Sequence, residues 1–222
     1  MHLALALPAY LIFLPKLSPG RPSADRMEIA AREPAFSPRQ FTAFWLLAGV
    51  VTVASFVTAV VSVHLLTILQ LRGLELAAAV GLGALIGPSQ VGARAIEMAL
   101  GRYYHPTWTL LASVTLMAIG ITLLAADFPF IALALVIYGA GLGIESIARG
   151  TVPLALFGPA QYATLMGRLA LPSLVAQAAA PFVGALIVER GGPNATLATL
   201  AIMAAANGGI AAALLAICRP RG

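Results

Sequence analysis

Apolar residues in this chain run in long, nearly unbroken stretches, without the alternation of a strand or the stripe of a surface helix. Six of these stretches reach about 20 residues, the helix length needed to cross a hydrocarbon core of roughly 30 Å. They cover about 41–71, 74–100, 107–126, 129–149, 162–188 and 195–218. Short polar or Gly/Pro-containing segments separate them. LRGLE predicts a tight turn at Gly73, and GRYYHP follows the second span. Asp127-Phe128-Pro129 predicts a short turn, with Pro129 placed to open the next helix. GTVPLALFGPAQ reads as a longer linker after the fourth span, and ERGGPNAT turns the chain before the sixth. The pattern predicts an all-α, polytopic membrane bundle of six transmembrane helices over 41–222.

The first 40 residues differ. Residues 1–14 are apolar but too short to span as a helix. They lack the basic start and small-residue cleavage site of a signal peptide. The expectation is a partial transmembrane helix, the end of a span that begins earlier. Residues 15–40 hold Lys16, Arg21, Arg26, Arg32 and Arg39, and five prolines from Pro15 to Pro38 oppose any long helix. They read as a basic cytoplasmic linker.

Composition agrees with the spans. Apolar residues make up 60% of the chain and charged residues 9%, against about 25% charged in soluble domains. The net charge of +5 would raise nucleic acid as a partner in a soluble protein. Here the basic residues sit between apolar stretches, where they set topology, and no nucleic-acid partner is expected. If alternate loops face opposite sides, eleven of the thirteen Lys and Arg share one side, leaving Arg72 and Arg190 on the other. The positive side is cytoplasmic, so both ends of the six-span unit face inward across the inner (plasma) membrane. Cys218 is the only cysteine, and His2, His64 and His105 lie far apart. No metal or cofactor is expected.

Ionisable and amide groups inside spans invite a functional reading, because each is costly in lipid. Glu145 and Arg149 are four apart in the favourable order for a helical ion pair. One reading is a local pair with Arg149 reaching the interface; the other is a contact to solute. Arg94 and Glu97 stand at the inner end of the second span, where gating or interfacial structure is expected. His64 could couple to protons or bond a neighbouring helix. Gln70, Gln90, Gln177 and Asn207 could join helices or line a cavity. Gln90 leads this group because Pro88 nearby frees backbone carbonyls. Gly139 and Gly143, and likewise Gly83 and Gly87, form G-x-x-x-G faces for close helix approach.

The stretch SVHLLTILQLRGLELAAAVGLGALIGPSQVGARAIEMALGRYYHP resembles spans seven and eight of the major facilitator superfamily, with their basic loop. YGAGLGIESIARGTVPLALFGPAQYATLMGRLALPSLVAQAAAPFVGALI resembles span ten, its cytoplasmic linker and span eleven, with the run from Gly150 to Gly158 typical. The nearest flavour is that of bacterial monocarboxylate-porter-like permeases. Of the family's G-x-x-x-D-R-x-G-R loop pattern only Gly92, Arg94, Gly101 and Arg102 have echoes here, and the Asp is absent. The resemblance implies the C-terminal half of a transporter, two inverted three-helix repeats carrying out secondary active transport of a small solute. An N-terminal six-helix half is the implied partner, with solute bound between halves. Spans one, two, four and five would line the shared face, with three and six at the lipid periphery. His64, Gln90, Glu145 and Arg149 are the cavity candidates. Arg94, Glu97, Arg102 and Arg168 are the cytoplasmic gate candidates. Proton coupling would fall to His64. The alternatives are a non-transporting fragment or a subunit that pairs with a separate six-helix half. A membrane enzyme is disfavoured, since no nucleophiles, carboxylates or histidines converge at one depth.

Overall fold

The first helix opens with a complete capping box. The Ser37 hydroxyl accepts from the Gln40 backbone N–H at 3.2 Å, and the Gln40 side chain accepts from the Ser37 N–H at 3.1 Å. Pro38 follows at the first helical position, where its missing N–H costs nothing. The computed structural model describes residues 37–218, and all regular structure among them is helical. The partial helix expected over 1–14 and the linker up to residue 36 lie outside the described residues. The expected linker end at residue 40 is corrected to Ser37, because Pro38 starts a helix here instead of breaking one.

Helix α1 runs Pro38–Leu71 and closes with Gly73 at φ +91°. Leu74 N–H reaches back to Leu69 C=O and Gly73 N–H to Gln70 C=O, the paired bonds of a glycine-terminated helix end. Helices α2 (Leu76–Gly83) and α3 (Ile86–Leu100) replace the single second span expected over 74–100. Their junction lies at Ala84 and Leu85, four residues before Pro88, which has no N–H to give to the Ala84 carbonyl. A 3₁₀ turn (Gly101–Tyr103) leads to α4 (Pro106–Ala125), capped by the His105 ring nitrogen on the Thr107 N–H.

Helix α5 spans Ile131–Phe157, and both its ends correct the sequence reading. Pro129 does not open it; Phe130 holds the cap position, after Asp127 turns the chain at φ +52°. The linker expected over 150–161 shrinks to 158–161, since the helix continues through Pro153 to Phe157. Val152 and Pro153 are buried, and Leu156 and Phe157 pack on the cluster around Leu47, Val51 and Leu169. That apolar contact holds the last two turns helical despite the proline.

The last helical stretch, α6, covers Tyr162–Cys218, 57 residues. The backbone leaves helical geometry inside it at Gly192 (φ 74°, ψ −177°), where two arms, 162–191 and 193–218, meet. ERGGPNAT therefore turns the chain through one glycine, not through eight loop residues. Five of the helical stretches are long and apolar enough to cross a membrane, counting α2 and α3 together and α6 as one. The architecture is that of a helical membrane bundle.

Helix α1 packs on both arms of α6, and α5 packs between α3 and α4. Apolar contacts fall into two layers. One joins Val57, Leu65, Met117, Tyr138, Ala180 and Leu200; the other joins Leu47, Val50, Val114, Ala148, Leu169 and Leu214. In lipid, such contacts are held by close van der Waals fit between helices, with small residues at the crossings. Gly139 and Gly143 behave as predicted. A Cβ on Gly139 would strike Ser89 and Ile86, and one on Gly143 would strike the Gln90 backbone. The Gly83/Gly87 face does not behave so: Gly87 has open space, and Gly83 meets only ordinary contact with Leu66 and Leu65.

The two ends of the bundle are tied differently. At one end Arg39 donates to the Ile217 carbonyl. At the other, Arg72 donates to Asn194 Oδ1 at 2.7 and 3.1 Å and to the Leu124 carbonyl at 2.5 Å. The Asp127 carboxylate lies 3.1 Å from the same guanidinium.

Candidate solute cavity

A cavity of about 530 Å³ opens between α1, α2, α3 and α5. Helical spacing brings its lining residues together. Thr58 and Ser62 lie one turn apart on α1, Ile86 and Gln90 on α3, and Tyr138 and Leu142 on α5. Val61, Leu65, Leu66 and Val80 complete an apolar wall. The break at Ala84 and Leu85 lies on the rim, and Ala84 lines the space. Tyr138 is buried to 1% exposure, yet its hydroxyl has no hydrogen-bond partner. Thr58 stands near enough to influence that hydroxyl, but the pair lacks hydrogen-bond geometry.

Two arginines flank the cavity, and both are engaged. Arg94 donates to the Gly143 carbonyl at 3.3 Å and to Gln90 Oε1 at 3.4 Å, tying α3 to α5. Arg149 donates to Glu145 Oε1 at 2.9 and 3.1 Å and to the Ser55 hydroxyl at 2.8 Å, tying α5 to α1. Glu145 is buried and Arg149 partly exposed, so the pair places two opposite charges inside the bundle without a net charge. Arg149 also lines a smaller space of about 140 Å³ with Ser173 and Gln177 of α6.

Of the four cavity candidates, only Gln90 lines the larger space. Glu145 and Arg149 form their pair beside it, and Arg149 faces the smaller one. His64 points elsewhere: its Nε2 lies 3.1 Å from the Pro181 carbonyl, against Gly184, as a bond between α1 and α6. Helix α4 adds nothing to either lining. Among the gate candidates, Arg94 bonds Gly143 and Gln90 as above. Glu97 is buried and accepts from Tyr104 Oη at 2.9 Å and Thr109 Oγ1 at 2.7 Å, bracing the turn between α3 and α4. Desolvation, then the Glu97 hydrogen bond and charge, raise the Tyr104 hydroxyl above its ordinary pKa. Arg168 is exposed. The Arg102 side chain lies outside the described residues.

No family model, curated protein or solved structure matches this chain.

Sequence reasoning missed Thr58, Ser62 and Tyr138. Thr58 and Ser62 form a polar i, i+4 step on an otherwise apolar α1 face, which was the available signal. It also took Arg72 as a topology marker alone, whereas Arg72 ties the end of α1 to two other segments, the α4 end at Leu124 and Asp127 and the α6 turn at Asn194. No group of three or more His, Cys, Asp or Glu residues among the described residues could hold a metal.

Proposed function

We propose that this chain is the C-terminal half of a transporter of the major facilitator kind, moving a small solute against a second six-helix half. The supporting observation is the cavity beside the least covered span. Only 11% of the most apolar window in Leu76–Leu100 is buried, against 50% in Pro38–Leu71. Val91, Ile96 and Met98 on α3 are exposed at 61–77%. A span so little covered, adjoining a polar-dotted cavity, suits a face completed by other helices.

The ties at the bundle ends support a reading with six spans. Arg39 and Ile217 meet at one end, and Arg72, Asp127 and Asn194 at the other. Equal sidedness of residues 39 and 217 requires an even number of crossings. The 57 residues of α6, about 85 Å of helix, then cross twice and reverse at Gly192. On this reading the chain crosses six times, as two inverted three-helix repeats, 38–125 and 131–218. The arginine skew supports a cytoplasmic position for residues 39 and 217, at the inner membrane.

Photocrosslinking from Val91 or Met98 in the native membrane tests the reading. The expected product joins this chain to a six-span partner, and the two co-reconstituted should carry into vesicles a small solute that neither chain carries alone. Crosslinks to lipid alone, without flux, refute it. A crosslinked partner without flux favours a non-transporting subunit. Topology is checked separately: Glu75→Cys should label from outside and Ala160→Cys from inside, and the reverse pattern overturns the orientation.

A further inference from the structure

The cavity is selective in what it offers, and the inference from it rests on the transporter reading above. No charged side chain lines it. The two arginines nearby are spoken for, Arg94 by Gly143 and Gln90, and Arg149 by Glu145 and Ser55. Because Gln90 Oε1 accepts from Arg94, its amide nitrogen is the end left over. That nitrogen carries two donors, which meet no partner among the described residues. The Tyr138 hydroxyl is the second unmet donor, at 1% residue exposure. Buried polar groups in native structures are almost always hydrogen-bonded, so such an orphan at a cavity wall marks a place for a ligand atom. Beyond these and the Thr58 and Ser62 hydroxyls, the wall is mostly aliphatic, with Val61, Leu65, Leu66, Ile86 and Leu142.

We propose that the cavity between α1, α2, α3 and α5 binds an uncharged amphipathic solute, whose acceptor oxygen meets the Tyr138 hydroxyl and the Gln90 amide. The apolar part of the solute lies against the aliphatic wall. An anion or cation would lose its hydration here and gain no free countercharge, since each nearby guanidinium already has its partners. This selectivity separates the site from one built for carboxylates.

Two probes of matched size test it on the full chain in nanodiscs: cyclohexanone, a neutral acceptor, and cyclohexanecarboxylate at pH 8. The readout is labelling of Ser62→Cys, at the exposed wall of the cavity, by a water-soluble maleimide in a Cys218→Ser background. Cyclohexanone should slow labelling saturably while the carboxylate does not. Tyr138→Phe should raise the half-protecting concentration about tenfold, the loss of roughly one hydrogen bond. Gln90→Leu should raise it as well, and gives a second reading if the first variant folds poorly. Equal or better protection by the carboxylate overturns the proposal, as does protection by neither probe, or cyclohexanone protection indifferent to both variants. In each of those cases the transporter reading stands. A Cys at position 62 that no aqueous maleimide reaches removes the water-filled cavity, and with it the transporter reading too.

Discussion

Arg72 offers the sharpest test of how the bundle is closed at the end that carries Gly73 and Asn194. Its side chain is 12% exposed, and the guanidinium serves Asn194 and the Leu124 carbonyl and pairs with Asp127. Arg72→Met keeps most of the stem and deletes these contacts. The Asp127 carboxylate is 71% exposed, so the ion pair is solvent-screened and contributes at most about 1 kcal/mol. The bonds to Asn194 and Leu124 are charge-assisted and shielded on the arginine side, worth about 1.5 kcal/mol each at the low end of that class. The variant should therefore lose about 3 kcal/mol, with Asp127→Asn losing less than 1. Unfolding by SDS titration in mixed micelles, followed by helical circular dichroism, measures both. If Asp127→Asn costs as much as Arg72→Met, the clasp is an ion pair and the weighting above is wrong. If neither costs anything, the three segments are held by packing alone.

Three further outcomes follow from the contacts described. Gly143→Ala places a methyl against the Gln90 backbone and should destabilise the bundle by about 1–3 kcal/mol in the same titration, while Gly87→Ala, with open space, should be neutral within about 0.5. Glu145→Gln should lower solute flux in the reconstituted pair with little loss of expression, because Arg149 keeps its Ser55 bond but loses its countercharge; unchanged flux would leave Glu145 as a local partner only. Tyr104 keeps its proton longer in the folded chain than in the unfolded one, so its contribution is complete below about pH 10 and fades as pH rises past the raised value. Tyr104→Phe should flatten the alkaline fall in stability, and an identical alkaline limb in the variant would remove Glu97–Tyr104 as its source.

The membrane bundle was legible because lipid leaves the backbone no choice: an apolar run of this length must be helical. The helix ends were less so, and prolines explain most of the misses. Pro38 and Pro129 carry the same local signal, yet one opens a helix and the other precedes it by two residues. Pro153 sits where its neighbours' burial outweighs the missing bond, a tertiary effect invisible locally. Gln90 was found through Pro88, a signal two residues away. Tyr138 was not, since an aromatic among small residues reads as packing until its hydroxyl is seen without a partner. Arg72 reaches Leu124 and Asn194, 52 and 122 positions distant, and no local pattern encodes that.

The glycine contacts divide into two kinds with different genetic consequences. A side chain added at Gly184 would run into His64 and Val60, which are side chains. A smaller residue at either position could therefore make room, so suppressors of a lesion at 184 should map to 64 or 60. What faces Gly143 is the main chain of Gln90, and what faces Gly139 includes the main chain of Ile86. No substitution can shrink a peptide backbone. Lesions at 139 and 143 thus have no side-chain suppressor across the contact, and relief can come only from changes that shift α3 bodily.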